Sequence, residues 1–464
     1  MDTDNLDAEI AALKALALEG RVQEALEGLL NLEKQKRLAE DVASTTACCS
    51  AVLDVCFQGR DWKLLNEQIV LLSKRRGQLK QAVQNFVRQA IGYLDKTPDK
   101  ATKVELIKTL QAVTEGKIYV EIERARLTKK LAAIKEAEGK VDEAAEILQE
   151  VAVETFGAMA KSEKVAFILE QARLCLDKGD YVRAQILAKK ISPKAFVDRR
   201  GTTGDIGIEG TTIEAPDEGI PSLEQLKLEY YLTMIRYHAH FNNYLEICRA
   251  FKAMYESEAV SNDVEKWKSL LKKICWFVVL APSHSTEGAS SSDQLTLLNS
   301  THQDKNLIEL PAHKQMLKQF MNKELMNWSV FENEYHEVMA EEPEIFGGEL
   351  GMQRLKDLRL RVTEHNILVV AHYYTRITMT RLSELLDLPA DETEKELSNM
   401  VVQKAVYAKI DRPAGVARFG SPQRPDHVLN RWSTSIARLL DLVEKSCQQI
   451  QKESMQYKVP IGSA

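Results

Sequence analysis

The chain has 464 residues, of which 44% are hydrophobic, 28% charged and 6% aromatic, and its formal net charge at pH 7 is −6. This composition is typical of a folded soluble protein and excludes global disorder, while the length excludes a single ordinary domain unless helical units are repeated. Acidic and basic residues are interleaved, so the chain lacks the broad positive field that nucleic acids and anionic membranes attract.

The N-terminal segment opens with carboxylates, where an export signal would have positive charge ahead of an apolar stretch. The longest apolar run, Ile274 to Ala281, is too short to span a bilayer. Seven cysteines form no C-x-x-C pair, which is typical of reduced thiols. We therefore expect a soluble intracellular protein of the cytoplasm and nucleus.

The first half of the chain contains a recurring turn signal, a glycine followed by a polar and an apolar residue. The glycines are Gly20, Gly59, Gly139 and Gly179. Their period of about 40 residues predicts a solenoid of helical hairpins, in which each glycine ends a helix in the left-handed conformation. The missing turn falls on Thr97-Pro98-Asp99, and Asn242-Asn243 replaces the glycine in a later repeat.

The segment from Lys117 to Glu138 has helical periodicity with apolar residues in two directions. One set is Ile118, Ile122 and Ala125, and the other is Leu127, Leu131 and Ile134. A helix with this pattern contacts neighbours on two sides, as stacked repeats require.

Two polar segments, 197–222 and 283–292, interrupt the periodicity and predict exposed loops. The end of the first of these segments, the start of the winged-helix module and the start of the last helix at Pro425 divide the chain into four predicted domains. These are an N-terminal solenoid at 1–222, a second helical part at 223–365, a winged helix at 366–424 and a C-terminal helix at 425–464.

The order of elements after Thr375 predicts the winged helix. A short helix from Met379 to Leu386 is followed by a turn and by a capping box, Thr393 to Glu396, that starts a second helix. Two β-rich segments, 406–410 and 416–419, then form a hairpin. The predicted fold class is all-α: a right-handed, TPR-like helical-repeat solenoid, then a winged helix with a small β-hairpin and a long C-terminal helix.

Winged helices often bind DNA, and the charge of the second helix indicates whether this one could do so. Between Met379 and Ile410 the chain has four Lys or Arg against six Asp or Glu. Phosphates would repel this surface, because their neutralisation supplies most of the affinity in such complexes. The pattern favours protein contact over nucleic-acid contact.

The C-terminal helix has an apolar row with residues three and four apart. Its members are Leu429, Trp432, Ile436, Leu439, Val443, Cys447 and Ile450. We call this row the seam. Coiled-coil-like spacing favours a bundle with helices of other chains, although the seam could instead fold back on the solenoid.

The chain contains no recognisable catalytic or metal-binding motif. His238 and His240 lie on different faces of a helix, and His365 and His372 have no complementary ligands nearby in the sequence. The patterns H-E-x-x-H, G-x-S-x-G and G-x-x-x-x-G-K-[ST] are absent. We therefore expect no enzyme activity, no cofactor and no metal.

Several segments together resemble a known family. They are CLDKGDYVRAQI from Cys175, WFVVLAPSHS from Trp276, KELMNWSVFENEY from Lys323, and the module from Arg361 to Phe419. In combination they are similar to the PCI-domain subunits of the 26S proteasome's regulatory-particle lid, specifically the non-ATPase subunit 12 family. The resemblance is collinear and covers nearly the whole chain, and residues 223–365 correspond to the helical part of the PCI domain.

The resemblance implies a non-catalytic scaffold that supports lid assembly and ubiquitin-dependent protein degradation. Implied partners are other PCI subunits, the lid deubiquitinase subunit, the ATPase ring and the core particle, in a hetero-oligomer without nucleic acid or membrane. The winged helix would dock through its exposed β-edge, at Val406, Tyr407, Ala408, Ile410, Val416, Arg418 and Phe419. Alternatives are the equivalent PCI scaffold of the signalosome and a winged-helix nucleic-acid binder.

Overall fold

A computed structural model of the chain describes residues 2–192, 196, 215–217, 219–282, 291–420 and 425–457. The chain divides into two compact units, 1–270 and 271–464. The predicted loops at 197–222 and 283–292 lie for the most part outside the described residues. The predicted domain boundary after residue 222 falls within the first unit, and the four-domain division stays a prediction.

The first unit consists of helices joined by short turns, with 3-10 turns at Leu94–Lys96, Ile118–Val120 and Val153–Thr155. The helices are α1 (Asp2–Leu18), α2 (Val22–Leu38), α3 (Val42–Gln58), α4 (Trp62–Lys74), α5 (Lys80–Tyr93), α6 (Lys100–Thr114), α7 (Glu121–Ala137), α8 (Val141–Gln149), α9 (Lys161–Lys178), α10 (Tyr181–Lys190), α11 (Leu223–His240), α12 (Tyr244–Tyr255) and α13 (Glu258–Ser261). Most helices that follow one another in the chain pack together, as the solenoid prediction requires, while α5 packs against α3 and α7.

The turns confirm the predicted left-handed helix ends at three of the four glycines, with φ of 92° at Gly20, 79° at Gly139 and 85° at Gly179. The prediction for Gly59 is wrong, because its φ is −68° and the next residue, Arg60, is left-handed instead with φ of 55°. Asn242 replaces a glycine as predicted, with φ of 53°.

The true repeat is one helix every 20 residues in the first part of the unit. Helices α2, α3 and α4 begin at Val22, Val42 and Trp62, at intervals of 20 residues. The turn between α2 and α3 has Glu40 in the left-handed position, with φ of 56°. A search based on glycine detects only every second turn, because a non-glycine residue occupies the others at a modest energetic cost.

Helix α7 contacts two separate hydrophobic clusters, and so confirms the two-sided pattern. Leu127 and Leu131 are buried in the cluster that α1 to α6 form, while Ile122 and Ala125 are buried in the cluster around α8 to α10. Ile118 departs from the prediction, since it lies in a 3-10 turn and is 81% exposed.

Helix α14 (Val264–Leu280) contains the division between the units, and its apolar run from Ile274 is buried core as predicted. The helices that follow are α15 (Ser291–His302), α16 (Pro311–Met321), α17 (Trp328–Ala340), α18 (Pro343–Phe346), α19 (Gly348–Tyr373), α20 (Met379–Leu386), α21 (Ala390–Val402) and α22 (Pro425–Tyr457), with a 3-10 turn at Lys305–Glu309 before α16.

The end of α19 leads into the winged helix. Strand β1 (Arg376–Thr378) precedes α20 and α21, and strands β2 (Ala408–Asp411) and β3 (Val416–Phe419) follow them. The three strands form one antiparallel sheet in the order β1-β3-β2. The predicted fold class, helical repeats followed by a winged helix and a long C-terminal helix, is therefore confirmed, while the handedness of the repeat stays a prediction.

The capping-box prediction for α21 is wrong. This helix begins at Ala390, three residues earlier, after Pro389. Thr393 is fully buried in the first turn, where its hydroxyl donates to the Pro389 carbonyl oxygen. A threonine buried inside a helix can satisfy its hydroxyl with the carbonyl four residues earlier, so the T-x-x-E pattern was not a helix start.

The winged helix has its own hydrophobic core between the sheet and the helices α19, α20 and α21. Strand residues Ile377, Ala417 and Phe419 are buried against Leu382 and Leu397. Thr378 ends β1 and starts α20, because its side-chain oxygen accepts a hydrogen bond from the Arg381 N–H. This core fixes the sheet and therefore the surfaces that it presents.

Candidate assembly interface

Strand β2 forms one edge of the sheet. The Gly420 N–H donates to the Tyr407 carbonyl oxygen, which sets the hydrogen-bond phase between β2 and β3. In an antiparallel pair the phase alternates, so the N–H groups of Ala408 and Ile410 point away from β3. Among the described residues no strand pairs with this side of β2. The edge therefore presents two N–H donors in the geometry that a partner strand requires.

The predicted docking residues on the wing divide into two groups. Val406, Ala408, Val416 and Phe419 are at most 9% exposed, and three of them are part of the winged-helix core. Tyr407 and Arg418 are exposed, and Ile410 is half-buried. Only these three side chains are accessible to a partner, and the buried four can take part in docking only through their backbone.

Helix α21, which would enter a DNA groove, presents an acidic surface. Asp391 and Glu392 are exposed in its first turn, and Glu394 accepts a hydrogen bond from Arg412 of the wing at 2.6 Å. Behind it, burial raises the pKa of the Glu364 carboxyl on α19, although Arg361 at 2.7 Å opposes that rise. Helix α21 therefore does not present a cationic surface to the phosphates of a nucleic acid.

The seam on α22 is exposed along its length. Leu429 is 60% exposed, Trp432 66%, Leu439 61% and Ile450 56%. Ile436, at 38%, is the least exposed of the aliphatic residues in the seam. Val443, at 51%, and Cys447 are exposed too. No described residue of the chain covers the seam. Single exposed apolar side chains are common, but a row of them on one helix marks an interaction surface.

The histidines considered in the sequence are packed or solvated side chains. His240 stacks on Tyr181 with ring centroids 3.7 Å apart. Burial lowers the pKa of His238 and of His365, so both imidazoles are neutral at pH 7. Across the described part of the chain, no three His, Cys, Asp or Glu side chains form a group that could hold a metal ion.

The six cysteines from Cys48 to Cys275 are buried, and Cys447 is exposed on α22. Burial raises the pKa of Cys56 and of Cys248 to about 12, so these thiols stay protonated. None of the described helices is both long and apolar enough to cross a bilayer.

Sequence reasoning missed two parts of these surfaces. It missed β1, whose three residues are too few for a periodic signal, and with it Arg376 on the exposed face of the sheet. It also missed Leu440 and Leu442 on α22, which are 61% and 62% exposed next to the seam. The high density of leucine after Ile436 was the available signal for this broader apolar surface.

Three protein-family models match this chain in succession. The model described as "PSMD12/CSN4, N-terminal" matches residues 24–203 and 219–263. The model of the PCI domain matches residues 314–421, which include the sheet and α20 and α21. The model described as "26S proteasome regulatory subunit RPN5 C-terminal domain" matches residues 426–458, which correspond to α22.

Known proteasome subunits are similar to the chain over nearly its full length. The 26S proteasome non-ATPase regulatory subunit 12 homolog A of Arabidopsis thaliana is 53% identical over 95% of this chain and 99% of its own length. The 26S proteasome regulatory subunit RPN5 of Saccharomyces cerevisiae is 39% identical over 93% of this chain and 91% of its own. COP9 signalosome complex subunit 4 of Drosophila melanogaster is 23% identical over 77% of this chain.

Proposed function

The chain belongs to the family of the 26S proteasome non-ATPase regulatory subunit 12, and from that membership we propose that it is a scaffold subunit of the proteasome lid. In this role it supports assembly of the lid within the 19S regulatory particle and thereby ubiquitin-dependent protein degradation. The observation that carries the proposal is the exposed seam of α22, an apolar row that the described chain leaves uncovered.

The proposal gives the two units different tasks. The helical repeats offer a long surface to neighbouring parts of the particle, the β2 edge docks laterally, and the seam joins a helical bundle. The partners are other PCI subunits and the lid deubiquitinase subunit, with the ATPase ring and the core particle as further contacts. The complex is a hetero-oligomer of the cytoplasm and nucleus.

We also propose that the chain has no catalytic activity of its own. The similar proteins are named as regulatory and non-ATPase subunits. In addition, the sequence contains no G-x-S-x-G nucleophile motif, no G-x-x-x-x-G-K-[ST] phosphate-binding motif and no H-E-x-x-H zinc motif.

The signalosome alternative is less well supported, because identity to its subunit 4 is 23% against 53% for the proteasome relative. Mass spectrometry of the native complex separates the two, since ATPase-ring subunits are expected only for the proteasome. A nucleic-acid role is disfavoured by the acidic surface of α21.

The seam gives the first prediction. Trp432→Asp with Leu439→Asp should block incorporation into the lid, because a bundle would bury two unpaired carboxylates. Both side chains are exposed in the single chain, so the thermal unfolding midpoint of the purified variant should stay unchanged. Incorporation is measured by co-purification with lid subunits from cells.

A matched control places the same charges on the opposite side of α22, at Thr434→Asp with Gln448→Asp. Both residues are exposed and lie about half a turn from the seam. This control should incorporate normally. Normal co-purification of the seam variant, or equal loss with the control, would contradict the scaffold proposal.

A further inference from the structure

The exposed face of the winged-helix sheet contains a row of three cations, one on each strand. Arg376 of β1 lies directly opposite Arg418 of β3, and Arg418 lies directly opposite Lys409 of β2. All three residues are exposed. We call Arg376, Arg418 and Lys409 the cationic row.

The row arises from strand alternation. Successive residues of a strand point to opposite faces, and Ile377, Ala417 and Phe419 point into the core. Arg376 and Arg418 alternate with these residues and therefore lie on the opposite face, where both are exposed. Neighbouring strands are about 4.8 Å apart, so the three cations span about 10 Å across the sheet.

The three cations of the row are not part of any ion pair in the described chain. None of its three side chains has a hydrogen bond or ion pair with the residues that the structure describes. Asp411, two residues after Lys409 on β2, accepts a hydrogen bond from the Ala414 N–H, and Glu394 of α21 pairs with Arg412. Like charges directly opposite each other destabilise a sheet. The fold thus maintains an unfavourable arrangement that an anionic partner would relieve.

Tyr407 extends this surface on one side. It precedes Lys409 by two residues, so it lies on the same face of the sheet, and it is 45% exposed. An aromatic ring beside exposed cations offers apolar contact area together with charge, a combination that is enriched where proteins recognise one another.

We propose that the cationic row binds an acidic segment of a protein partner, with Asp or Glu side chains along one face of a helix. Residues three and four apart on a helix are about 5–6 Å apart, which matches the spacing of the strands. Arginine recognises a carboxylate with two parallel hydrogen bonds, and the lysine adds a point charge. The row and Tyr407 lie on the face of the sheet, and this surface shares Arg418 and Tyr407 with the predicted wing-docking residues. The inference therefore rests on the proposed scaffold function and deepens it by naming the chemistry of the partner segment.

A nucleic acid is the less suitable ligand. Three cations over about 10 Å neutralise only a short stretch of phosphates, and α21, the helix that would enter a DNA groove, is acidic. A protein segment requires only local complementarity, because its own charges can be confined to one face.

The test uses zero-length crosslinking with a carbodiimide, which joins an amine to a carboxylate in direct contact, on the nuclease-treated native complex purified through this chain. Lys409 should be joined to Asp or Glu of another protein, in a segment with several acidic residues. In the variant Arg376→Thr with Arg418→Thr, the yield of this crosslink should fall at least about fivefold, since the complementary charge is reduced from three to one.

Lys395→Thr is the matched control, an exposed cation on α21 of the same winged helix, and it should leave the Lys409 crosslink unchanged. Threonine has a high β propensity, and the double variant loses the repulsion between the two arginines. The isolated double variant should therefore unfold at the same temperature as the wild type or at a higher one. Co-purification with lid subunits is scored on the same samples, and it separates a failure of this inference from a failure of the scaffold proposal.

Three outcomes would overturn the inference. Lys409 could be joined only to carboxylates of this chain or to none. The crosslink yield could be equal in the double variant and the wild type. A labelled single-stranded oligonucleotide could crosslink to Tyr407 under ultraviolet light in the full chain and lose that crosslink in the double variant, which would assign the row to nucleic acid.

Discussion

Buried carboxylates in the first unit are paired with arginines of other helices. Glu123 is 1% exposed and accepts a hydrogen bond from Arg88 at 2.7 Å, and Glu163 is 6% exposed and accepts two from Arg126 at 2.7 and 2.9 Å. The partners are 35 and 37 residues apart, about one helical hairpin. An ionised carboxylate in such a position needs its partner, because a buried unpaired charge is very unfavourable.

Removal of the arginine from one of these buried pairs should therefore lower the free energy of unfolding. We expect Arg126→Ala to lower the free energy of unfolding by about 3 kcal/mol, since Glu163 would remain buried without a cation. Arg183→Ala is the control, because this side chain is 60% exposed near Asp180 and should cost less than about 1 kcal/mol. Urea unfolding of the full chain measures both, and equal losses would show that burial does not determine the cost.

At two left-handed turn residues we predict substitutions that change the stability of the chain in opposite directions. Gly179→Ala should destabilise the chain by about 1 kcal/mol, because φ is 85° and the added Cβ meets no neighbouring atom, so the cost is that of the backbone alone. Arg60→Gly should stabilise by a similar or smaller amount, since it relieves a left-handed non-glycine residue. Thermal unfolding of the two variants tests this, and two shifts in the same direction would contradict it.

Helix α16 contains a buried neutral histidine. His313 is 3% exposed, lies edge-on to Trp276 of α14 with ring centroids 5.9 Å apart, and its Nε2 has no hydrogen-bond partner among the described residues. Burial, with a smaller contribution from Lys272, lowers the pKa of His313 to about 4. The packing of α16 on α14 thus depends on an uncharged imidazole.

This depressed pKa predicts a loss of stability in acid. The contribution of the neutral imidazole is fully present above the ordinary pKa of 6.5 and is lost as the pH falls from 6.5 towards 4, because the unfolded chain binds the proton first. Between pH 7 and pH 4.5 the loss should be about 2 kcal/mol.

The experiment compares the wild type with His313→Gln, which has no proton to bind in this range. The unfolding free energies should converge as the pH falls, since only the wild type has the histidine contribution to lose. Parallel pH dependences in the two proteins would show that His313 titrates at the same pH in the folded and unfolded states.

The molecule has two separate attachment surfaces, the β2 edge and the seam. A substitution in one of them should weaken its own contact and leave the contact of the other unchanged. Ile410→Pro removes an N–H that points away from β3, so the β2–β3 pairing loses no hydrogen bond while the edge loses a donor. We expect weaker lateral docking to a PCI neighbour with the seam contact retained, as native mass spectrometry of partly assembled lid would show. Unchanged lateral docking would exclude main-chain pairing at this edge.

Much of this architecture could be predicted from local patterns. The periodicity around α7, the turn at Asn242, the winged-helix order after Thr375 and the apolar row of α22 all depend on interactions between residues a few positions apart. Two predicted helix boundaries were wrong because they depended on the residue type at a single position. Gly59 and Thr393 have the right residue type for a helix end and a helix start, but Arg60 has the left-handed conformation and Pro389, four residues before Thr393, precedes the helix.

Contacts between segments that are distant in the chain were beyond that reasoning. The order β1-β3-β2 brings Arg376 beside Arg418, 42 residues later, although three residues of β1 have no readable period. The pairing also decides that Val406 and Phe419 are core while Tyr407 remains accessible. A strand's alternation shows in its sequence, but which face is buried depends on the helices that pack against it, and only the assembled winged helix settles that.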